Sequence, residues 1–219
     1  MMCRLLFNLI EIIDVLTNLY IAAITAEAMT GALSAGRRGM DPVGVIFVAC
    51  VTAIGGGSVR DMLLGTYPLT WIAHPSYIVM IICAALFTII IKNMMPKMMR
   101  FFIVLDAVGL ITFSILGAQK TLDVGHGYVI AAIMAVITGV FGGVLRDILC
   151  QNVPLVFRKE LYASVSLVAV VLYFLLQILG LSQPTVIVIT LVIGFMLRML
   201  AVRFNMELPK FIYQGAASH

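Results

Sequence analysis

The chain has 219 residues, of which 63% are hydrophobic and only 11% are charged, with a formal net charge of +4. Ordinary soluble domains are about 45–50% apolar and about 25% charged, so a soluble fold of this size is excluded. Long unbroken apolar runs favour membrane-spanning helices over the alternating segments of a β-barrel. The four cysteines show neither metal-binding nor redox spacing, and we interpret them as small apolar residues.

The apolar runs predict an all-α membrane protein in which residues 1–219 form a single domain with seven spans. The first span is expected over about 15–35, with Leu5 as an alternative start, and the second runs from Pro42 to Gly65. The next three are expected at 75–91, 101–119 and 128–150. The sixth ends near Gly180, and the seventh covers about 184–203, before a short tail at 204–219.

Basic residues predict the orientation of these spans. If the spans alternate in direction, nine Lys and Arg residues fall on one face, whereas only Arg4 and Lys120 fall on the other. An excess of positive charge in short loops marks the cytoplasmic face, so we expect the N-terminus outside and the C-terminus in the cytoplasm. The nine residues are Arg37, Arg38, Lys92, Lys97, Arg100, Arg158, Lys159, Arg203 and Lys210.

The chain contains an internal repeat. A shift of 86 residues aligns the two halves without a gap and matches, for example, Gly31 with Gly117 and Pro68 with Pro154. Repeat one then covers about 15–92 and repeat two about 101–178, with three spans each. Because three is an odd number, the second copy enters the membrane from the opposite face. The sequence therefore predicts an inverted repeat, with the seventh helix outside the symmetry.

Glycine clusters lie in the middle of spans two and five. They consist of Gly55, Gly56 and Gly57 in the first repeat and of Gly142 and Gly143 in the second. Because glycine disfavours helix, we predict that each span breaks into two half-helices whose free carbonyl groups line a polar path. Ser58 and Asp61 are expected to cap the second half of span two. Phe141 replaces the first glycine in repeat two, where its ring either narrows the path or simply packs.

An Arg-Asp dipeptide follows each glycine cluster, Arg60-Asp61 in one repeat and Arg146-Asp147 in the other. Neighbouring residues on a helix point in different directions, so we expect each side chain to find a partner elsewhere. A charge in the membrane interior costs about 3 kcal/mol or more, and four of them beside two helix breaks favour a role in a polar path. The alternative is that they tie helices together without touching a solute.

Other polar residues carry weaker signals. Glu27 and Asp106 lie within spans one and four, where either cation attraction or a hydrogen bond at a helix contact explains them equally well. Lys120 is expected to reach towards lipid headgroups rather than line a vestibule. His74 and His126 are expected in solvated loops.

The two Gly-Gly-x-x-Arg-Asp cores resemble those of the bacterial trimeric intracellular cation (TRIC) channels, as do residues 30–41, 105–110 and 160–163. The resemblance implies a homotrimer in the bacterial inner membrane, with a separate pore between spans two and five of each protomer. It implies passage of monovalent cations, chiefly K⁺ with some Na⁺, through the glycine and Arg-Asp positions. We expect no cofactor or tightly bound metal and no nucleic-acid partner, and membrane lipids as the other contacts.

A second interpretation is a secondary transporter for a small zwitterion such as glycine. Inverted repeats with broken helices also occur in transporters, and an arginine is suited to hold a carboxylate. Related bacterial sequences also carry the label of possible glycine transporters. An intramembrane hydrolase is not expected, because no span combines a Ser or Cys nucleophile with a His, so we expect no enzyme.

Overall fold

The computed structural model describes residues 2–91, 98–158 and 161–206, and the regular structure of this part of the chain is helical. Among the predicted residues, Lys92, Lys97, Lys159, Glu160 and Lys210 lie outside it. The helices are α1 (Met2–Arg37), α2 (Pro42–Leu63), α3 (Thr70–Ala73), α4 (Ser76–Ile90), α5 (Met98–Asp123), α6 (Tyr128–Leu149), α7 (Leu155–Arg158), α8 (Tyr162–Ile178) and α9 (Gln183–Arg203).

Four of the described helices are long and apolar enough to cross a membrane, namely α2, α5 from Arg100, α6 and α9. Helices α4 and α8 are also apolar but have only 15 and 17 residues. α1 has 36 residues, and α3 and α7 are single turns. The fold is thus that of a multi-pass membrane protein, whereas the count of seven spans stays a prediction.

The helix bounds repeat with the same shift of 86 residues as the sequence. α2 and α6 each have 22 residues, and their first and last positions correspond. α1 and α5 end at the corresponding residues Arg37 and Asp123, and α4 and α8 begin at the corresponding residues Ser76 and Tyr162. The two halves therefore have the same order of long helices. Asp41 begins α2, because its Oδ1 accepts a hydrogen bond from the amide of Gly44 at 2.7 Å.

The predicted breaks in spans two and five are wrong, because α2 and α6 both continue through their glycines. The glycines instead allow the two helices to touch. A Cβ atom on Gly56 would overlap the carbonyl oxygen of Thr138, and one on Gly142 would overlap the carbonyl oxygen of Thr52. Close packing of this kind offsets the low helix propensity of glycine, about 1 kcal/mol per residue. Backbone carbonyls freed by a break therefore do not line a path here.

The contacts at this crossing are symmetric. Thr52 and Gly56 correspond to Thr138 and Gly142 under the shift of 86, so the two contacts exchange with each other. Such an exchange is the signature of a twofold relation between two surfaces. The α2–α6 crossing therefore lies at the centre of the relation between the repeats.

Each repeat also packs its first long helix against its second through one glycine. A Cβ on Gly31 would lie 2.8 Å from the Cα of Ala49, and one on Gly117 would lie 3.0 Å from the Cα of Ala135. Separate apolar clusters flank the crossing. One joins α1, α2 and α4, and the other joins α5, α6, α8 and α9. The central pair of helices is thus supported on both sides.

Candidate functional site

Two contacts near the ends of the long helices define two faces of the protein. Arg38 Nη2 donates hydrogen bonds to the carbonyl oxygen of Gln151 at 3.0 Å and to Oδ1 of Asn152, which joins the α1–α2 loop to the α6–α7 loop. Lys120 Nζ donates to Thr70 Oγ1 at 3.0 Å, which joins the end of α5 to α3. α2 begins just after Arg38 and ends shortly before Thr70. We therefore call its two ends the Arg38 face and the Thr70 face.

Arg60 and Asp61 lie near the Thr70 face and bind each other directly. Arg60 donates to Asp61 Oδ1 from Nε at 2.9 Å and from Nη2 at 2.7 Å. This direct pair was not expected, and it forms because the long arginine side chain folds back to the carboxylate. Asp61 also has the distant partners that were expected. Lys120 Nζ lies 3.0 Å from the same oxygen, and Thr70 donates to Oδ2 from its amide at 3.0 Å and its hydroxyl at 2.7 Å. We call these four residues the Arg60 cluster.

The Arg60 cluster borders an open cavity of about 420 Å³, which we call the Arg60 cavity. Arg60, Thr70 and Lys120 line it, and the other lining residues include Leu16, Tyr20, Leu116, Gln119 and Asp123. The Lys120 side chain is 33% exposed, while Asp61 beneath it is fully buried. The expectation that Lys120 reaches towards headgroups is wrong, because Asp61 and Thr70 hold its ammonium group. His74 and His126 are exposed.

Ser58 and Phe141 take no part in lining the Arg60 cavity. Ser58 Oγ donates to the carbonyl oxygen of Ile54 at 2.8 Å and accepts from Trp71 Nε1 at 3.1 Å. The predicted capping box with Asp61 is wrong, because the unbroken helix leaves no free amide at this position. The Phe141 side chain is 37% exposed on α6, so its ring lies at the protein surface.

Arg146 and Asp147 form the second cluster, near the Arg38 face. Arg146 donates from Nε to Asp147 Oδ1 at 2.9 Å and from Nη1 to Asp106 Oδ1 at 2.7 Å. Nη1 also donates to Thr30 Oγ1 at 3.2 Å, and Thr30 in turn donates to Glu27 Oε2 at 3.0 Å. None of these five residues is more than 5% exposed. We call them the Arg146 cluster.

The partners found in the Arg146 cluster agree only in part with those expected from the sequence. Arg146 has the distant partner that was expected, Asp106, but it also pairs with its neighbour Asp147, which was not expected. Asp106 makes its hydrogen bond across a helix contact, with Arg146, whereas Glu27 accepts its hydrogen bond from Thr30 on the same helix. In the described part of the chain, Arg146 Nη2 and the hydroxyl of Tyr162 lack a hydrogen-bond partner. Both groups lie close to Gly143, whose missing side chain leaves them room.

The structure thus gathers the predicted charges into two clusters at opposite ends of the α2–α6 crossing. Sequence reasoning missed Thr70 and Thr30 as members of these clusters and misplaced Lys120. Thr70 lies nine residues after Asp61 and belongs to no sequence motif, so no signal in the sequence marked it. A lysine directly at the end of a predicted span, by contrast, is a signal that an acidic partner should be sought nearby.

Comparisons with known proteins agree with this architecture. The family model described as glycine transporter matches residues 17–93 and 103–177, two segments that begin 86 residues apart. The UPF0126 membrane protein of Vibrio cholerae is 38% identical over 187 residues, which cover 84% of this chain and 77% of the relative. The UPF0126 inner membrane protein YadS of Escherichia coli K12 is 34% identical over 189 residues, which cover 84% of this chain and 90% of the relative.

The solved structure of a TRIC trimeric intracellular cation channel orthologue from Rhodobacter sphaeroides matches with a TM-score of 0.84. It is 33% identical, and the match covers 88% of this chain and 99% of that one. The resemblance seen in the two Gly-Gly-x-x-Arg-Asp cores is therefore confirmed. The chain belongs to the bacterial TRIC channel family, and the family model described as glycine transporter covers both of its repeats.

Proposed function

We propose that the protein is a channel for monovalent cations, chiefly K⁺ with some Na⁺, in the bacterial inner membrane. The observation that carries this proposal is the match to a solved trimeric cation channel at 33% identity over nearly its whole length. The same match supports a homotrimer in which each protomer has its own path. The name of the Escherichia coli relative supports the inner membrane, and a channel of this kind has no need of catalysis or a cofactor.

The proposed path connects the Arg60 cluster with the Arg146 cluster along the α2–α6 crossing. In this proposal the Thr70 face lies outside and the Arg38 face lies in the cytoplasm. Arg37, Arg38, Arg100 and Arg203 are exposed near the helix ends assigned to the cytoplasmic side, in agreement with the positive-inside rule. Asp106 and Asp147 outnumber Arg146 and supply negative charge that favours cations over anions, while Asp61 offsets part of the charge of Arg60 and Lys120.

The direct test is electrical recording from purified protein in a planar bilayer with a KCl gradient. We expect unitary current steps that reverse near the K⁺ equilibrium potential and that vanish when a large organic cation replaces K⁺. Native mass measurement of the same sample should give three chains per particle. Absence of current steps from protein shown to be assembled would reject the channel.

A second candidate function, uptake of a small zwitterion, is favoured by one specific observation. Arg60, Lys120 and Asp123 all line the Arg60 cavity, whose volume is about 420 Å³. A carboxylate suits the two cations, and an ammonium group suits Asp123. Saturable uptake of radiolabelled glycine into proteoliposomes, without current steps, would favour this transporter over the channel.

A further inference from the structure

The internal symmetry assigns a counterpart to the Arg60 cavity. Under the shift of 86 residues, Leu16, Arg60 and Lys120 correspond to Phe102, Arg146 and Ser34. The first three line an open cavity near the Thr70 face. Their counterparts lie towards the Arg38 face and are buried, with exposed fractions of 7% for Phe102, 0% for Arg146 and 5% for Ser34. One end of the crossing is therefore open, and the corresponding place at the other end is filled.

Phe102 has a larger side chain than its counterpart at the open end. An aromatic ring stands where the open end has Leu16, and it packs against the buried side chain of Leu33. Leu33 itself corresponds to Gln119, a polar residue that lines the Arg60 cavity. Phe102 and Leu33 are thus bulkier than their counterparts Leu16 and Gln119, and they fill this place although Ser34 is smaller than Lys120.

Two guanidinium groups hold the Phe102 ring in this place. The Cζ of Arg146 lies 4.8 Å from the ring centroid, and the Cζ of Arg37 lies 4.9 Å from it. Arg146 belongs to the buried cluster, whereas Arg37 is exposed at the Arg38 face. The ring therefore separates the buried charges from the surface, and any movement of it breaks two cation–π contacts.

Asp106 lies one helical turn after Phe102. Phe102 and Asp106 are four residues apart on α5 and so share one helix face. Asp106 also binds the same arginine that contacts the ring, through Arg146 Nη1 at 2.7 Å. Displacement of the ring would open a route from the Arg38 face to this carboxylate.

We propose that Phe102 is the gate on the Arg38 face, whose ring fills the counterpart of the Arg60 cavity and whose displacement exposes Asp106 to ions. This proposal rests on the proposed path through each protomer. The gate closes that path at the Arg38 face. The open conformation of this end then resembles the Arg60 cavity, with Leu16 showing the shape of an unblocked position.

Cysteine accessibility tests the gate without recording current. Ser34→Cys is made in a chain whose native cysteines are replaced by alanine, and purified protein in nanodiscs is treated with a membrane-impermeant methanethiosulfonate. We expect slow modification, and about tenfold or faster modification after Phe102→Leu, because both cation–π contacts are lost. Phe101→Leu is the matched control, because Phe101 is 41% exposed and should leave the rate unchanged.

An unchanged rate in assembled Phe102→Leu protein would overturn the gate. If that variant fails to fold, Arg37→Gln provides the test, because this exposed residue supplies one of the two cations at the ring. We expect faster modification of the introduced cysteine in this variant, and an unchanged rate would overturn the proposal. The outcome is separable from the channel test. Faster modification without bilayer currents would keep the gate and reject the channel, whereas currents with unchanged modification would do the reverse.

Discussion

The two ends of the α2–α6 crossing carry the same Arg-Asp dipeptide in different surroundings. At the Thr70 face, two cations, Arg60 and Lys120, share the carboxylate of Asp61 beside an open cavity. At the Arg38 face, one cation, Arg146, binds Asp106 and Asp147, with Glu27 one hydrogen bond further away. The first end has an excess of positive charge and the second an excess of carboxyl groups.

Three exchanges between the repeats produce this difference, and in one of them Glu27 has Phe113 as its counterpart. Lys120 has Ser34 as its counterpart, and Asp106 has Tyr20 as its counterpart. One end therefore has an additional cation and the other has additional carboxyl groups, although the backbones of the two repeats are nearly the same. The comparison shows that the repeat sets the geometry of the two sites, whereas a few side chains on α1 and α5 set their charge and their access to solvent.

The largest expected effect comes from the glycines that both ends share. Gly56→Ala and Gly142→Ala should each lower the free energy of unfolding by about 3 kcal/mol, because the new methyl group overlaps a backbone carbonyl oxygen of the opposite helix. Thermal unfolding followed by circular dichroism measures this loss. Gly57→Ala is the control, because its Cβ would meet only Arg60 Nη2 at 3.7 Å. Equal melting temperatures for all three variants would contradict the twofold contact.

The two clusters should differ in the stability that each charge provides. Asp106→Ala leaves Arg146 with one carboxylate fewer in a buried site and should cost about 3 kcal/mol. Lys120→Met removes a partly exposed partner and should cost about 1 kcal/mol or less. Chemical or thermal unfolding of the two variants gives the comparison, and a larger loss from Lys120→Met would reverse it.

Conductance should depend more on the carboxylate at the open end. Asp61→Asn leaves Arg60 and Lys120 without a counter-charge beside the cavity, and we expect unitary K⁺ current to fall roughly tenfold. Asp147→Asn should lower it less, because Arg146 keeps Asp106. Unchanged currents in both variants, measured in symmetrical KCl, would show that the two carboxylates only tie helices together.

The smallest effect concerns salt. The Debye length falls from about 10 Å at 0.1 M to about 3 Å at 1 M, so charges that face the Arg60 cavity are screened as KCl rises. The loss of unitary K⁺ current caused by Asp61→Asn should therefore be smaller by about twofold or more in 1 M KCl. The loss caused by Asp147→Asn should persist, because the surroundings of Asp147 are buried. If the two losses of current changed with salt in the same way, the two ends would be equally open to solvent.

The sequence by itself determined the membrane setting, the doubled architecture and the family. These depend on local composition and on the shift of 86 residues, both of which can be read without knowing any contact between helices. It also located both Arg-Asp pairs, because charged residues within apolar runs are rare. The helix positions followed from the same apolar runs, and most ends lie within a few residues of the prediction.

Only the tertiary structure decided what the glycines and charges do. A missing side chain is compatible with either a helix break or a close helix contact, and the carbonyl of Thr138 opposite Gly56 selects the contact. In the same way, Lys120 binds Asp61 and not the headgroups because α3 and α5 meet at the Thr70 face. Such choices depend on partners distant in sequence, and those partners come together only when the helices pack.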